Sequence, residues 1–292
     1  MRVLLTGATG LLGGALTEIL LELGHEVRCL VREDSPNARR LDPAKVEIVR
    51  GDASDEESLA RAISGADAVI HAAGIEYAPR VVSALQLAGV RRLVAVSSTS
   101  AHSRYESRSG PKLVMEEVVK QSGLDWTIVR PSMIYGSELD KNIHRLLRFL
   151  ENSPVFPVFG SGDNLWQPVY HEDLARGVAA ALGHAGALHQ TYDLPGAAPL
   201  SYRELVENAA RALGREARIV RLPLEPVRLG LRLAESARLP LPVQSEQVLR
   251  LREDKAYPYE KAREELGYNP RGFEEGVMLE VRRLREAGVL RA

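Results

Sequence analysis

TGATGLLGG, residues 6–14, follows a short apolar run that starts at Val3 and opens a stretch of helical periodicity that extends to Leu23. Its glycines form a GxxGxxG pattern. In this pattern the first glycine permits a tight turn, the second lets the backbone approach a pyrophosphate, and the third lets the helix pack against the strand. Such glycines also occur in ordinary helix packing, but their place after an N-terminal strand favours a dinucleotide site at a helix N-terminus. The residues assigned to this loop are Gly7, Thr9, Gly10, Leu11, Leu12 and Gly13.

Apolar runs and amphipathic stretches continue to alternate along the chain. The predicted strands are Val3–Thr6, Glu26–Val31, Val46–Val49, Ala68–Ala72, Leu93–Ser97 and Trp126–Arg130. The predicted helices between and after them are Leu11–Leu23, Glu56–Ile63, Pro79–Ala88, Pro111–Gln121 and Lys141–Glu151. Nearly all-apolar strands that alternate with helices predict a parallel sheet covered on both faces.

The expected fold is therefore an α/β protein, a Rossmann-type doubly wound parallel sheet with a smaller, mainly helical C-terminal lobe. QPVYHEDLARGVAAAL, residues 167–182, indicates a strand and a helix that return to the main sheet, and Ser201 with Glu204 forms a capping box. We assign residues 1–139 and 165–195 to an NAD(P)-binding domain. Residues 140–164 and 196–292 are assigned to the smaller substrate or partner lobe.

Composition narrows the function classes. With 38 basic and 39 acidic residues the net charge is −1, which argues against a nucleic-acid or anionic-membrane partner. The sequence contains no run of about 20 apolar residues that could span a bilayer. Cys29 is the single cysteine and lies in an apolar run, so we expect a small buried side chain, no disulfide and a cytoplasmic location.

The end of the second strand carries the information on cofactor choice. A carboxylate there would bind a ribose 2′-hydroxyl, but this chain has Arg32 after Val31. A guanidinium matches a 2′-phosphate bidentately, whereas Glu33 and Asp34 are expected to lie beyond reach. The pattern favours NADP(H), with NAD possible. A solvated surface arginine is the alternative.

Two later segments fit the same ligand. GDASD, residues 51–55, follows the third strand and puts Asp52, with Ala53 next to it, beside the place that an adenine would occupy. HAAG, residues 71–74, follows the fourth and places Ala72, Ala73 and Gly74 where the cofactor must pass close to the backbone.

These motifs together resemble the extended short-chain dehydrogenase/reductases, the group of NAD-dependent nucleotide-sugar epimerases and dehydratases. TGATGLLG, GDASD, HAAG, VSSTS, RPSMIYG, VYHEDLA and KAREELGYNP match in order along nearly the whole chain. SGLDWTIVRPSMIYG followed by WQPVYHEDLA is more similar to an atypical branch, which resembles the NAD(P)-binding accessory subunit of respiratory complex I.

The resemblance also implies a catalytic arrangement. In active members a tyrosine four residues before a lysine performs the acid–base chemistry, and the lysine binds nicotinamide-ribose hydroxyls and lowers the pKa of the tyrosine. Here the lysine is Lys112, and Thr99, with Ser98 beside it, lies at the Ser/Thr position. The tyrosine position holds Arg108, whose guanidinium does not release a proton near neutral pH.

Tyr105 lies seven residues before Lys112. Since Pro111 suits the first position of a helix, Tyr105 is expected in the preceding loop, from which it could reach the site only by folding back. A solvated lysine is the alternative for Lys112, although the helix dipole disfavours a cation in the first turn.

The resemblance further places Pro131 and Ile134, in RPSMIYG, against the nicotinamide ring. His171 and Asp173 are expected to begin and order a helix rather than to catalyse. No HxxH or HxxxH pair occurs among the seven histidines, so we expect no metal site.

Two functions from different classes follow. The favoured one is an NADP(H)-binding oxidoreductase or epimerase-like enzyme that acts on a small carbonyl or nucleotide-linked substrate without the usual tyrosine. In it Thr99 and Ser98 polarise the carbonyl, while the proton donor stays unidentified. The alternative is a non-catalytic redox sensor or structural subunit that NADP(H) orders and a protein partner recognises. Substrate identity and oligomeric state stay open.

Overall fold

The computed structural model describes residues 1–223, 225–226 and 253–291. The described residues form two compact units. Unit 1 comprises Met1–Ile134, Val169–Pro195 and Pro258–Arg271, and unit 2 comprises the described parts of Tyr135–Pro168, Gly196–Tyr257 and Gly272–Ala292. Residues 224, 227–252 and 292 of the predicted C-terminal lobe lie outside the described residues.

The strands and helices are numbered here in chain order. The described strands are Arg2–Thr6 (β1), Glu26–Val31 (β2), Glu47–Arg50 (β3), Ala68–His71 (β4), Arg92–Val96 (β5), Asp125–Pro131 (β6), Ile134–Tyr135 (β7), Val155–Phe159 (β8), Leu165–Trp166 (β9), Val169–Tyr170 (β10), Gln190–Leu194 (β11), Leu200–Ser201 (β12) and Arg218–Leu222 (β13). The described α-helices with assigned bounds are Leu11–Glu22 (α1), Glu56–Ile63 (α2), Ala78–Ala88 (α3), Glu106–Lys120 (α4), Ile143–Asn152 (α5), His171–Gly183 (α6), Tyr202–Ala212 (α7), Glu260–Leu266 (α8) and Phe273–Glu286 (α9).

Unit 1 is built on a seven-stranded sheet with the order β11-β6-β5-β4-β1-β2-β3, in which every pair is parallel. The chain moves outward from β1 to β3 and then returns to the other side of β1 with β4. A cofactor-binding crevice forms at this point of reversal in doubly wound sheets, outside the carboxyl ends of the strands. The predicted Rossmann-type fold is confirmed.

Alternate residues of each strand pack on opposite faces of this sheet. Val3 and Leu5 of β1 join a buried cluster with α1 and α6, whereas Leu4 between them joins the cluster of α2 and α3. Both faces are thus covered by helices, which explains why the strands are almost wholly apolar. Cys29 belongs to the first cluster, and burial raises the pKa of its thiol to about 11, as expected for an unreactive buried cysteine.

The six predicted strands are confirmed within one residue at each end. The segment before α6 was predicted to be a strand of the main sheet, but β10 has two residues and lies outside the seven-stranded sheet. The seventh strand is β11, which follows α6 and was not predicted. Helix α6 itself covers the sheet face that carries α1.

Unit 2 contains two small sheets and three described helices with assigned bounds. Strand β8 pairs in parallel with β13, and β9 pairs antiparallel with β12. The predicted capping box is present at the start of α7, where the Ser201 hydroxyl accepts from the Glu204 N–H and the Glu204 carboxylate accepts from the Ser201 N–H. None of the described helices has the length and hydropathy needed to cross a membrane.

A carboxylic acid is buried in the middle of α9. Glu280 has 0% exposure, and the Asp140 carboxylate beside it is 4% exposed. Asp140 accepts hydrogen bonds from the backbone N–H groups of Asn142 and His144, each at 2.7 Å, at the start of α5. Burial, and then the charge of Asp140, raise the pKa of Glu280 to about 9. The folded protein therefore holds Glu280 protonated at neutral pH.

Candidate functional site

The glycine loop joins β1 to α1 in a conformation that leaves room for a ligand. Gly7 has φ +78°, and a Cβ at this position would lie 2.7 Å from the backbone of Ala72. The Gly10 N–H donates to the Gly7 carbonyl oxygen at 3.0 Å, and α1 begins at the next residue with no acidic side chain in its first turn. A tight glycine turn before an open helix N-terminus is suited to a pyrophosphate.

The rest of the loop packs inward. A Cβ on Gly13 would overlap the Gly7 carbonyl oxygen, so only glycine allows α1 to approach the loop this closely. Leu12 is 7% exposed and its side chain belongs to the apolar core, while Leu11 is half-buried. Both leucines can therefore contribute backbone N–H groups rather than side chains to a ligand.

A cavity of about 320 Å³ opens beside this loop. Its lining includes eight of the predicted cofactor residues, which are Gly7, Thr9, Gly10, Arg32, Asp52, Ala53, Ala72 and Ala73. The sequence analysis did not assign the other lining residues, Thr6, Leu30, Gly51 and Tyr77. Thr6 and Gly51 are direct neighbours of predicted positions, and this adjacency could have identified them as lining residues. Nothing in the sequence pattern indicates Tyr77.

The end of the cavity that is expected to hold the adenosine carries opposite charges. The Arg32 side chain is 61% exposed, and its Nε lies 3.9 Å from an Asp34 carboxylate oxygen. Asp52 accepts the Ser54 N–H at 2.7 Å. Hydrogen bonds from Ser54, with a smaller contribution from the charge of Arg32, lower the pKa of Asp52. Arg32 and Asp52, which were assigned to the site from two separate strand ends, thus lie close enough to interact.

A hydrogen-bond network fixes the segment that follows β4. His71 is buried, and its Nε2 lies 2.7 Å from the Gly74 carbonyl oxygen, which can only accept. Its Nδ1 therefore accepts from the Thr6 hydroxyl at 2.8 Å, and Thr6 Oγ1 accepts the Ala73 N–H at 3.3 Å. Burial lowers the pKa of His71 to about 4, so the ring is neutral. This network, which sequence reasoning missed, holds Ala73 and Gly74 against the end of β1.

The residues expected at the nicotinamide end lie outside the cavity lining. Thr99 is 4% exposed and begins a short 3₁₀ helix after β5, and the Ser98 hydroxyl accepts the Ser100 N–H at 3.1 Å. Lys112 lies on α4, with its Nζ 3.7 Å from a carboxylate oxygen of Glu76. Since Glu76 lies just after Gly74 in the 3₁₀ turn Ile75–Tyr77, Lys112 is held beside the segment that follows β4.

Pro131 and Ile134 were assigned to the same end of the site. Pro131 is the last residue of β6 and is buried, and Ile134 is half-buried against the apolar core on the α1 side of the sheet. The carboxyl ends of β4, β5 and β6 therefore place Gly74, Thr99 and Pro131 at one edge of the sheet.

Helix α4 begins earlier than predicted. Pro111 was expected to be its first residue, but the helix begins at Glu106 and Pro111 lies in its interior. The added turn is supported by hydrogen bonds from the Arg108 and Ser109 N–H groups to the Tyr105 carbonyl oxygen at 2.8 and 3.1 Å. Arg108 therefore lies one helical turn before Lys112, on the same face.

Tyr105 is the residue before this helix. Its hydroxyl accepts from the Arg104 guanidinium at 3.3 Å, and that guanidinium also lies 5.2 Å from the centre of its ring. Tyr105 thus precedes the helix, as expected, and it lies almost two turns before Lys112.

A buried ion pair connects α4 to β6 at the same edge of the sheet. Glu116 has 0% exposure and accepts from the Arg130 Nε at 2.9 Å and from the Ser97 hydroxyl at 2.6 Å. Beside it, His102 Nε2 lies 2.9 Å from the Asp193 carboxylate of β11. The bonds to Glu116 tie α4, the helix that carries Lys112, to the ends of β5 and β6. Apart from the spacing of Glu116 after Lys112, no sequence signal indicates this cluster.

The structural roles expected for His171 and Asp173 are confirmed. His171 is the first residue of α6, and Asp173 in the first turn pairs with Arg271, whose Nε and N–H donate to it at 2.8 and 2.9 Å. Within the part of the chain that the structure describes, no group of three or more His, Cys, Asp or Glu side chains could hold a metal ion.

Comparison with known proteins identifies relatives of this chain. A family described as NAD(P)H-binding matches residues 7–157, which is just over half of the chain. NADH dehydrogenase (ubiquinone) 1 alpha subcomplex subunit 9, a mitochondrial protein of Arabidopsis thaliana, is 30% identical over 269 residues, which cover 84% of this chain and 66% of that protein. Ceramide reductase of Caulobacter vibrioides is 28% identical over 235 residues, which cover 76% of this chain and 73% of the reductase.

The chain spans less than two thirds of the plant subunit, and an alignment with one mycobacterial relative covers 23% of that protein. Among solved structures, a nucleoside-diphosphate-sugar epimerase from Pseudomonas aeruginosa superposes with a TM-score of 0.79 over 99% of both chains, at 22% identity. At this identity the likeness is one of fold.

Proposed function

Because the chain belongs to the NAD(P)H-binding family, among the extended short-chain dehydrogenase/reductases, we propose that it is an NADP(H)-dependent oxidoreductase or epimerase-like enzyme. Its substrate would be a small carbonyl compound or a nucleotide-linked one. The observation that carries the proposal is the cavity in which Arg32 lies at the end of β2 beside the glycine loop.

The preference for NADP(H) rests on charge at the end of β2. A carboxylate at this position would repel a 2′-phosphate and bind a 2′-hydroxyl. Arg32 instead offers an exposed guanidinium, whose Nε lies 3.9 Å from an Asp34 carboxylate oxygen. That distance is too long for a strong ion pair, so the guanidinium stays able to bind a phosphate.

The reaction would take place where β4, β5 and β6 end. A bound nicotinamide supplies or accepts a hydride. Thr99 and Ser98 would donate hydrogen bonds to the substrate oxygen, and Lys112 would bind the ribose hydroxyls. Glu76 is consistent with this role because its carboxylate lies 3.7 Å from the Lys112 ammonium, beside the segment that follows β4. No proton donor is assigned, since Arg108 occupies the helical position of the family's tyrosine.

Calorimetric titration with NADPH and NADH tests the cofactor assignment. We expect NADPH to bind about tenfold more tightly or better, as charge-assisted hydrogen bonds would give. Arg32→Ala should remove most of that preference. Arg39→Ala removes the same charge from the same loop outside the cavity lining, and it should leave the preference in place. Equal affinities of the unmodified protein for both cofactors would contradict the proposal.

A panel of aldehydes, ketones and quinones then tests turnover with NADPH. General acid–base help is worth about 10²–10⁴-fold, so a site without the tyrosine should be slower by that order. If Tyr105 swings into the site, Tyr105→Phe should lower the rate by a similar factor. Rapid turnover that is insensitive to Tyr105→Phe would show that another donor exists.

The position of Arg108 also favours a second candidate, a non-catalytic NADP(H)-binding sensor or structural subunit. A relative is named as a subunit of NADH dehydrogenase, which is consistent with a protein partner. In that case no carbonyl compound is turned over, and a partner isolated with the protein binds its NADPH and NADP⁺ forms with different affinities. Equal affinities for the two forms would refute the sensor.

A further inference from the structure

Arg50 is the last residue of β3. It directly precedes Gly51 and Asp52, which line the cavity, although Arg50 itself is not among the lining residues. It is paired in register with Val31, the residue before Arg32, and the Gly51 N–H donates to the Val31 carbonyl oxygen at 3.0 Å. The Arg50 Nη1 donates to the Arg32 carbonyl oxygen at 3.3 Å. The second guanidinium is therefore anchored where the Arg32 side chain leaves the sheet.

The single positive charge of Arg32 is too small to neutralise a bound 2′-phosphate together with the carboxylates near it. Arg32 lies 3.9 Å from Asp34 and lowers the pKa of Asp52 through its charge, after the larger effect of the Ser54 hydrogen bonds. Two carboxylates thus oppose one guanidinium. A phosphate monoester carries about −1.5 to −2 charges at neutral pH. Arg32 alone would leave the site strongly negative once a 2′-phosphate is bound.

Arg50 can supply the missing positive charge. It is exposed, and its side chain donates to a neutral carbonyl, so its charge has no carboxylate partner among the described residues. Arginine remains charged in any protein environment and offers five N–H donors. One bond to the Arg32 carbonyl leaves donors available for an anion.

We infer that Arg50 is a second cationic ligand of the 2′-phosphate of NADP(H), acting beside Arg32. This role rests on the proposed NADP(H) binding and adds a specificity-determining residue to it. Arg32 follows β2 and Arg50 ends the neighbouring strand β3, so the carboxyl ends of two adjacent strands supply the two guanidinium groups. The 2′-phosphate is then recognised by both arginines rather than by one side chain.

A purely structural role gives a different expectation. The Arg32 carbonyl also accepts the Ser35 N–H at 3.2 Å, and the Ser35 hydroxyl donates to Thr9 at 3.1 Å. Arg50 could therefore act only by holding this turn against the glycine loop. Loss of the turn would weaken NADH and NADPH alike, because both cofactors place the same pyrophosphate on that loop.

The test measures dissociation constants of NADPH, NADH and adenosine 2′-monophosphate by calorimetry for the unmodified protein, Arg50→Gln and Arg50→Lys. Glutamine keeps a donor and removes the charge, while lysine keeps the charge. Arg50→Gln should weaken NADPH and adenosine 2′-monophosphate about tenfold, or about 1.4 kcal/mol, and change NADH less than about twofold. Arg50→Lys should retain most of the affinity, and the control Arg39→Gln should change none of the three.

Three results would overturn the inference in separable ways. Equal losses for NADH and NADPH in Arg50→Gln would assign Arg50 to the turn alone. An unchanged NADPH affinity, with NADPH still preferred by the unmodified protein, would remove Arg50 from the site and leave the proposed function intact. An unmodified protein with no preference for NADPH would refute the NADP(H) assignment itself, and the role of Arg50 with it.

Discussion

Replacement of Glu280 by Gln should stabilise unit 2 increasingly as the pH rises. The buried carboxyl has a pKa of about 9 in the folded protein, against an ordinary value of 4.5. Between these values the folded state keeps a proton that the unfolded chain has released, so raising the pH costs stability by about 1.4 kcal/mol per unit. From pH 6 to pH 8 this group alone should lower the free energy of unfolding by about 3 kcal/mol. Glutamine is neutral throughout, so the variant should lose that slope.

Urea unfolding at pH 6, 7 and 8 measures the effect. The chain has two tryptophans, Trp126 in unit 1 and Trp166 in unit 2, so a Trp126→Phe background makes the fluorescence report unit 2. The free energy of unfolding of this parent minus that of its Glu280→Gln variant should fall by about 3 kcal/mol across the range. Glu286→Gln, at the exposed end of the same helix, is the matched control and should leave the slope unchanged. Parallel pH profiles for Glu280→Gln and its parent would refute the burial argument.

Two further predictions concern unit 1. Lys112→Ala should weaken NADPH binding, since it removes the ammonium expected to bind the nicotinamide ribose, while the affinity for adenosine 2′,5′-bisphosphate, which lacks that ribose, should hardly change. Lys120→Ala at the end of the same helix is the control, and equal losses for both ligands in Lys112→Ala would argue against the assignment. His71 has a pKa of about 4 in the folded protein, below the ordinary value of 6.5. Its contribution to the free energy of unfolding should therefore be complete above about pH 6.5. Between pH 6.5 and pH 4 that free energy should fall by about 3 kcal/mol, because the unfolded chain takes up the proton first. Thermal unfolding of the parent and of His71→Gln over this range checks it, and an acid decline of the same size in both would rule out His71 as its source.

The parts of the site that local sequence determines were predictable. A glycine loop between a strand and a helix has one geometry, so Gly7, Gly10 and the end of β2 could be placed without a structure. The start of α4 was misplaced because Pro111 suits a first helical turn. The actual first turn is instead supported by the Tyr105 carbonyl, a local choice that proline statistics do not reveal.

Contacts between residues distant in sequence were not predictable. Glu116 and Arg130 are 14 residues apart, and Thr6 and His71 are 65 apart. Each of these polar side chains is ordinary in its own segment. Their pairing depends on which strands are neighbours and on where each strand ends, which is known only once the sheet order is known. The same applies to Arg50, whose position beside Arg32 follows from the β2–β3 register.

The hydrogen bonds through His71 have a direction. They run from the Ala73 N–H to the Thr6 hydroxyl, from that hydroxyl to Nδ1, and from Nε2–H to the Gly74 carbonyl. This series of hydrogen bonds begins at a main-chain N–H, which can only donate, and ends at a main-chain carbonyl oxygen, which can only accept. A proton therefore cannot pass along it. To release a proton to a ligand, His71 would have to break its hydrogen bond to the Gly74 carbonyl oxygen, and the Thr6 hydroxyl would have to rotate so that it no longer donates to Nδ1. The imidazole of His71 therefore holds the segment after β4 in place and does not transfer protons. A proton donor for the proposed reaction would have to be another residue.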